Sequence, residues 1–472
     1  MHRPPQSRRA RGLNRRLLTQ VACCVALCAG VLAGWCASAI AGPSNAYAPD
    51  KVVVGYAART STNAWSAGIA GTGPRGGVPA SARTRVVELA PGVSVASALE
   101  HLRRTRGVAW AVPDYLAHAA GQVIPNDPGV SHTPGGWREV QWNFAGVFGV
   151  NAPEAWANVA ADGAPGGHGV TVAVLDTGVA YANRGPFRRS PDFIASEFVR
   201  GYDFVARNPF PNDRNGHGTF VASTIAEATN NGRGLTGLAF GARLMPVRVL
   251  DGQGEGEAST IAEGVVFAVR HGAQVINLSL EFSPGVTASD IPELIGALRY
   301  AHRRGVLVVG AAGNEGHTAI AFPARASTVV SVGATTEHGC LAGYSNDGGG
   351  LTLIAPGGGA DASLPGDPNC HPELPPGRDI YQVTFTGSSP RVFGLPTGYE
   401  GTSMAAPHVS ATAALVIASG VLGRHPTPAQ ITARLRATAR KLGGPGDQAL
   451  YGAGLVDAAA ATAPGGPGAV PR

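Results

Sequence analysis

Between residues 170 and 418 the chain repeats one pattern, and that pattern limits the folds open to it. Apolar runs at 170–175, 200–205, 244–250, 274–280, 306–309, 329–332 and 351–355 alternate with stretches of helical periodicity near 218–228, 259–270, 291–302 and 403–418. A last helix is expected at 428–440. The runs are continuous in polarity, so each strand needs cover on both faces. The reading is an α/β fold: a doubly wound, mostly parallel sheet with helices on both faces. In such sheets the functional loops gather at the carboxyl ends of the strands.

Two segments precede this pattern. Residues 1–41 carry Arg8-Arg9 and Arg15-Arg16, an apolar run over 21–33 and then Ala39-Ile40-Ala41. That is the layout of an export signal cut near Ala41, with an apolar run too short to span a bilayer. The paired arginines also allow the twin-arginine route. Residues 42–121 hold apparent strands at 52–54, 85–89 and 108–112 and a helix over 94–104, with Val95, Ala98, Leu99 and Leu102 on one face. A small α+β unit between a leader and a main domain suggests a propeptide. The main domain is then expected over 122–462, and the Gly/Pro-rich residues 463–472 as a flexible tail.

The net charge of +6 belongs to the leader, where six arginines lie within the first sixteen residues and no acid occurs before Asp50. Residues 122–472 are mildly acidic, with 23 basic against 27 acidic residues, so nothing suggests a nucleic-acid footprint. Four of the six cysteines also fall in the leader, which leaves Cys340 and Cys370. An even pair in an exported chain suggests one disulfide, and two buried thiols are the alternative.

Three polar residues in Gly-bearing turns carry the chemistry. Asp176 closes the first apolar run and is either a ligand for loop N–H groups or part of a site. His217, between Gly216 and Gly218, is a helix-start residue or a base. Ser403 opens an apolar helix after Gly401-Thr402, as a cap or as a nucleophile. Pro407, one turn into that helix, removes a backbone hydrogen bond and asks for a reason. Asn314 ends a strand as a turn former or an oxyanion donor. A serine hydroxyl is a weak nucleophile that needs a base, and the base needs a carboxylate to hold its tautomer. Asp176, His217 and Ser403 supply all three.

In order and spacing, Asp176-Thr177-Gly178, His217-Gly218-Thr219, Ala312-Gly313-Asn314 and Gly401-Thr402-Ser403-Met404-Ala405-Ala406-Pro407-His408 resemble the motifs of the subtilisin-family (subtilase) serine peptidases. The resemblance covers about residues 140–460 and implies an exported endopeptidase acting through an acyl-enzyme. By that likeness Ser403 is the nucleophile, His217 the base and acid, Asp176 its orienting partner and Asn314 the oxyanion donor. Residues 50–118 are similar to the family's inhibitory propeptide. Phe220, Ser223 and Ser410 depart from the family's usual His, Gly and small residue, which bears on helix packing. A silent binding protein with a retained propeptide is the competing class.

The resemblance also implies that substrate lies as an extended strand between Gly254, Glu255 and Gly256 on one side and Ser279, Leu280 and Glu281 on the other, with Glu315 near the primary pocket. Three glutamates facing one cleft suggest a preference for Arg, Lys or polar residues near the cleaved bond, or else are solvated surface acids. No cofactor is implied for the chemistry. Structural calcium is implied as a possibility, at Asn230-Asn231-Gly232 with oxygens from Asn126 and Asp127. Residues 337–396, rich in Gly and Pro, read as a surface elaboration. The expected partners are polypeptide substrates and the chain's own propeptide, with the mature protein a monomer without a membrane span.

Overall fold

The computed structural model describes residues 47–56, 84–90, 93–115, 123–444, 446–465 and 467–469. The leader expected over 1–41 lies outside them. The chain divides near residue 118 into two compact units.

The first unit is a three-stranded antiparallel sheet in the order β2-β1-β3, formed by β1 (Tyr47–Tyr56), β2 (Thr84–Glu88) and β3 (Val108–Tyr115). One helix, α1 (Val95–Arg104), packs on it. Ser94 caps this helix by accepting from the Ser97 N–H at 3.2 Å. Val95, Ala98, Leu99 and Leu102 bury against Val52, Val54 and Ala111, so the face read from the sequence is the face that packs.

The second unit is built on a seven-stranded sheet in which every pairing is parallel. In chain order its strands and helices are α2 (Ala152–Ala161), β4 (Thr171–Asp176), β5 (Tyr202–Asp203), α3 (His217–Ala226), β6 (Arg243–Arg248), α4 (Ala258–Arg270) and β7 (Val275–Leu278). There follow α5 (Pro292–Arg303), β8 (Leu307–Ala311), β9 (Val329–Thr335), β10 (Leu353–Pro356), a hairpin β11 (Thr384–Phe385) with β12 (Phe393–Gly394), α6 (Thr402–Ser419), α7 (Pro428–Thr438) and α8 (Ala458–Thr462). The sheet order is β10-β9-β8-β7-β4-β6-β5, so the chain leaves β4 toward both sides. Such a reversal opens a crevice at the carboxyl end of the strand concerned, and Asp176 stands there.

Both faces are covered, as the continuous strands require. Val172 and Val174 face a core shared with α2, α3 and α6, while Ala173 and Leu175 face one shared with α4 and α5. Burying one such side chain stabilises the fold by about 1.5–3 kcal/mol.

Some features were not visible in the sequence. Helix α2 has an Ala-rich sequence without a strong stripe, yet Trp156 anchors it, buried and donating Nε1–H to Leu238 O at 2.7 Å. Within the segment expected as a tail, Ala463 and Pro467 give their carbonyls to the buried Arg434 guanidinium, which also binds Ala460 O and Ala461 O. The Gly/Pro-rich insert is not purely peripheral: Ile380, Gln382 and Thr384 are fully buried. Cys340 and Cys370 are joined in a disulfide, closing a sequence separation of 30. Among the described residues, no helix is long and apolar enough to cross a membrane.

Candidate active site

Asp176 is fully buried and uses Oδ1 twice, accepting from Thr177 N–H at 2.7 Å and pairing with His217 Nδ1 at 2.8 Å. An acceptor at that distance fixes the proton on Nδ1 and leaves Nε2 free to act. Burial alone would lower the His217 pKa. The charge and hydrogen bond of Asp176, with Asp213 behind, outweigh it and leave the imidazole above its ordinary value.

Asp213 is a residue that the sequence reading passed over. It is buried and organises the turn before His217: Oδ1 accepts from Thr177 Oγ1 and from the N–H groups of Asn215 and Gly216, while Oδ2 accepts from Thr219 N and Oγ1. The glycine after His217 is obligatory, because a Cβ on Gly218 would sit 2.1 Å from Gly178 O and against Asp176. An Asp three residues before a Gly-His-Gly turn was the available signal.

Ser403 lies in the first turn of α6, where backbone N–H groups have no helical acceptor. Its hydroxyl donates to Ser279 O at 3.3 Å, and Ser279 Oγ donates to Ser403 O at 2.8 Å. That carbonyl is the one whose helical partner would be the missing N–H of Pro407. The exchange continues into the core: Asn277 Nδ2 donates to Ser279 Oγ at 2.9 Å and Ser410 Oγ donates to Asn277 Oδ1 at 2.7 Å. Ser410 thus anchors the Ser403 backbone. His408, in the same motif, is buried away from the cleft as a neutral ring, with Nδ1–H on Met404 O and Nε2 on Asn143 Nδ2. Burial pushes it down to about 4.

His217 and Ser403 open into one cleft of about 540 Å³. The same cleft is lined by Gly254, Glu255 and Gly256 on one side and by Ser279, Leu280 and Glu281 on the other. Asn314 and Glu315 stand behind Glu281. Asn314 Oδ1 accepts from Thr402 N and Oγ1 at 2.8 and 3.0 Å, while its N and Nδ2 donate to the two oxygens of Glu281. Asn346 Nδ2 holds Glu315 Oε2 at 2.7 Å. Burial first, then the charge of Glu315, lifts Glu281 to about 7.

A sequence profile described as the subtilase family matches residues 167–454, well over half of the chain. The chain belongs to the subtilase family. It is 39% identical over 300 residues to Subtilisin BL of Lederbergia lenta, covering 63% of this chain and 91% of that protein. It is 37% identical over 298 residues to the Thermostable alkaline protease of Halalkalibacterium halodurans, covering 63% of this chain and 68% of that one. Among solved structures it is similar to a protease of Pseudoalteromonas arctica PAMC 21717, with a TM-score of 0.57 and 31% identity over 72% of this chain and 99% of the other. This subtilase is therefore a subtilisin-like serine protease, and polypeptides are its substrates.

Two of the subtilase's departures from the usual helix residues, Phe220 and Ser223, have partners in and just after the insert. Phe220 stacks on Tyr399 with ring centroids 4.2 Å apart, and Ser223 Oγ donates to Val383 O at 3.1 Å. Thr384 Oγ1 caps Gly216 O at 2.6 Å, so the insert braces the start of α3.

The two segments named for calcium do meet, but through N–H donors. Asp127 accepts from Asn230 N and Asn231 N, Asn126 Oδ1 from Gly232 N, and Asn230 Oδ1 from Asn126 N. Asn231 presents Nδ2, not its oxygen, to Asp192. Among the described residues no group of three or more His, Cys, Asp or Glu side chains is arranged to hold a metal ion. As folded, this loop offers amides to carboxylates and does not fit the six or more oxygens a hard cation needs.

Proposed function

We propose that this subtilase is an exported endopeptidase in which Ser403 attacks the scissile carbonyl. His217 Nε2 takes the hydroxyl proton as Ser403 turns away from Ser279 O, and later delivers it to the leaving amine. Asp176 holds the Nδ1–H tautomer and stabilises the imidazolium that forms. The Ser403 N–H and Asn314 Nδ2 receive the oxyanion, and water then hydrolyses the acyl-enzyme. The observation that carries this reading is the 2.8 Å His217–Asp176 contact opening onto the cleft that also holds Ser403. The chemistry uses no cofactor.

The reading extends to the ends of the chain and to the substrate. Residues 1–41 direct export, residues 42–121 are an inhibitory propeptide, and the mature protein acts as a monomer. Gly254–Gly256 and Ser279–Glu281 hold the substrate as an added strand. With Glu255 and Glu281 lining the cleft and Glu315 behind Glu281, Arg, Lys or polar residues are preferred near the cleaved bond. A peptide library with a strong preference for large apolar residues, unaltered in Glu281→Gln, sinks that preference.

The test of the core reading is a fluorophosphonate probe on the full chain beside Ser403→Ala, with intact mass on both. Labelling of the wild type alone, with mass lost up to about residue 120, supports a self-processed serine hydrolase, and a casein assay completes it. Absent labelling after clean removal of the propeptide overturns it in favour of a binding protein.

A further inference from the structure

Asn314 is gripped from both ends. On its carbonyl side both neighbours, Thr402 N and Oγ1, are donors. On its amide side the neighbour is a carboxylate, with Nδ2 3.0 Å from Glu281 Oε1. That pattern decides which end of the amide is oxygen and which is nitrogen. Glu281 Oε2 also takes the Asn314 backbone N–H at 3.1 Å, so one carboxylate spans main chain and side chain of the same residue. The χ2 torsion of a free Asn is broad and roughly two-fold; here it is closed at both ends. An amide nitrogen carries two coplanar hydrogens. One is spent on Glu281, which leaves a single donor with a fixed direction.

We propose that Glu281 is a positioning residue for peptide hydrolysis: by taking one Nδ2 hydrogen and the backbone N–H of Asn314, it aims the other Nδ2 hydrogen at the tetrahedral oxyanion. This rests on the reading of Asn314 as oxyanion donor. The acyl oxygen gains charge when Ser403 Oγ bonds to the carbonyl carbon, and it loses that charge when the leaving amine departs with the proton from His217. Glu281 touches neither atom and acts only through Asn314.

The surroundings of Glu281 suit that role. Among the described residues no Lys or Arg forms an ion pair with Glu281 or Glu315. The group facing Glu281 is the Glu315 carboxyl, itself held by Asn346 Nδ2. Burial, with the Glu315 charge beside it, holds Glu281 up at about 7, which reduces the negative charge beside the developing oxyanion, while its oxygens remain acceptors for Asn314. Thr402, the other jaw, immediately precedes Ser403 in the chain. The grip therefore registers the oxyanion donor against the nucleophile's own backbone.

A double-mutant cycle on matured enzyme made from the full chain tests this. Asn314→Ala, Glu281→Ala and the double variant are assayed on an anilide whose residue before the scissile bond is uncharged. Fluorophosphonate titration counts the folded sites. Asn314→Ala should lower kcat by about 10²–10³-fold. Glu281→Ala should lower kcat by about 10- to 100-fold with KM within about threefold, and the double variant should be no slower than Asn314→Ala within about threefold. Glu281→Gln, which keeps one acceptor, should recover part of the loss; it replaces Glu281→Ala in the cycle if that variant does not fold. A slow Asn314→Ala beside an unimpaired or additive Glu281 variant, or a loss lying wholly in KM, overturns the positioning role alone. An unimpaired Asn314→Ala overturns the oxyanion reading and the inference with it.

Discussion

Glu227, just past the end of α3, is fully buried and both its carboxylate oxygens lack a partner. Asp192, Asp127 and Glu197 are the charges around it. A buried carboxylate without donors does not stay ionised at little cost; burial first, then these neighbours, holds Glu227 well above its ordinary value. The same burial lifts Glu197 to about 8 and Asp192 to about 7. Folded-state values above unfolded ones mean that the native protein binds these protons more tightly. Their contribution is fully present below about pH 4 and is lost as pH rises through about 7 to 8. For Glu197 the rise from 4.5 to about 8 corresponds to roughly 5 kcal/mol at most. The perturbation is Glu227→Gln in a Ser403→Ala background, and the assay is urea unfolding in EDTA from pH 5 to pH 9. We expect the two proteins to match most closely at pH 5 and the variant to become the more stable as the pH rises toward 9. Parallel curves refute the reasoning.

Other residues give equally direct tests. Asp176→Asn removes the main cause that raises His217, so the acid limb of kcat/KM, expected above 6.5 in the wild type, should move down while kcat falls by about 10⁴-fold; a pH–rate profile reads both. Reduction of Cys340–Cys370, or Cys340→Ser with Cys370→Ser, should cost about 4 kcal/mol of unfolding free energy by the loop it closes. Arg434→Met leaves four carbonyls without this donor and should cost about 1–3 kcal/mol, seen as a lower melting temperature without a change in kcat.

Much of this was legible because strands buried on both faces and turns rich in glycine leave strong local marks. The seven apolar runs are the seven strands of the parallel sheet, though the run at 200–205 shrinks to Tyr202–Asp203, since Phe204 lies outside the ladder and packs on Phe267. Asp176, His217 and Ser403 could be named because each sits in a short motif. Asn277 and Ser410 could not: they pair with each other across the sequence, and a lone polar residue in an apolar stretch does not say with whom it pairs. Glu281 was singled out for substrate charge, whereas both its oxygens hold Asn314; a glutamate's reach hides its partner until the loops are placed.

Pro407 is the case in which a local penalty has its cause in the tertiary structure. A proline inside a helix costs about 3 kcal/mol relative to alanine, so its position in α6 asks for compensation. The N–H it lacks would have bonded Ser403 O. Freed of that bond, Ser403 O accepts Ser279 Oγ at 2.8 Å, and the Ser403 side chain answers by donating to Ser279 O. The first turn of the helix is thereby tied to the segment that lines the cleft, not only to its own next turn. In Pro407→Ala the new N–H competes for Ser403 O and displaces Ser279. The variant should unfold at higher temperature, because the helix gains a bond, yet hydrolyse substrate about tenfold more slowly, because the nucleophile loses its tether. Ser279→Ala should slow the reaction similarly, and the two changes together should be no worse than either alone. A Pro407→Ala enzyme that is more stable and fully active would show that Ser403 is positioned by the helix itself, and that the proline serves something other than the cleft.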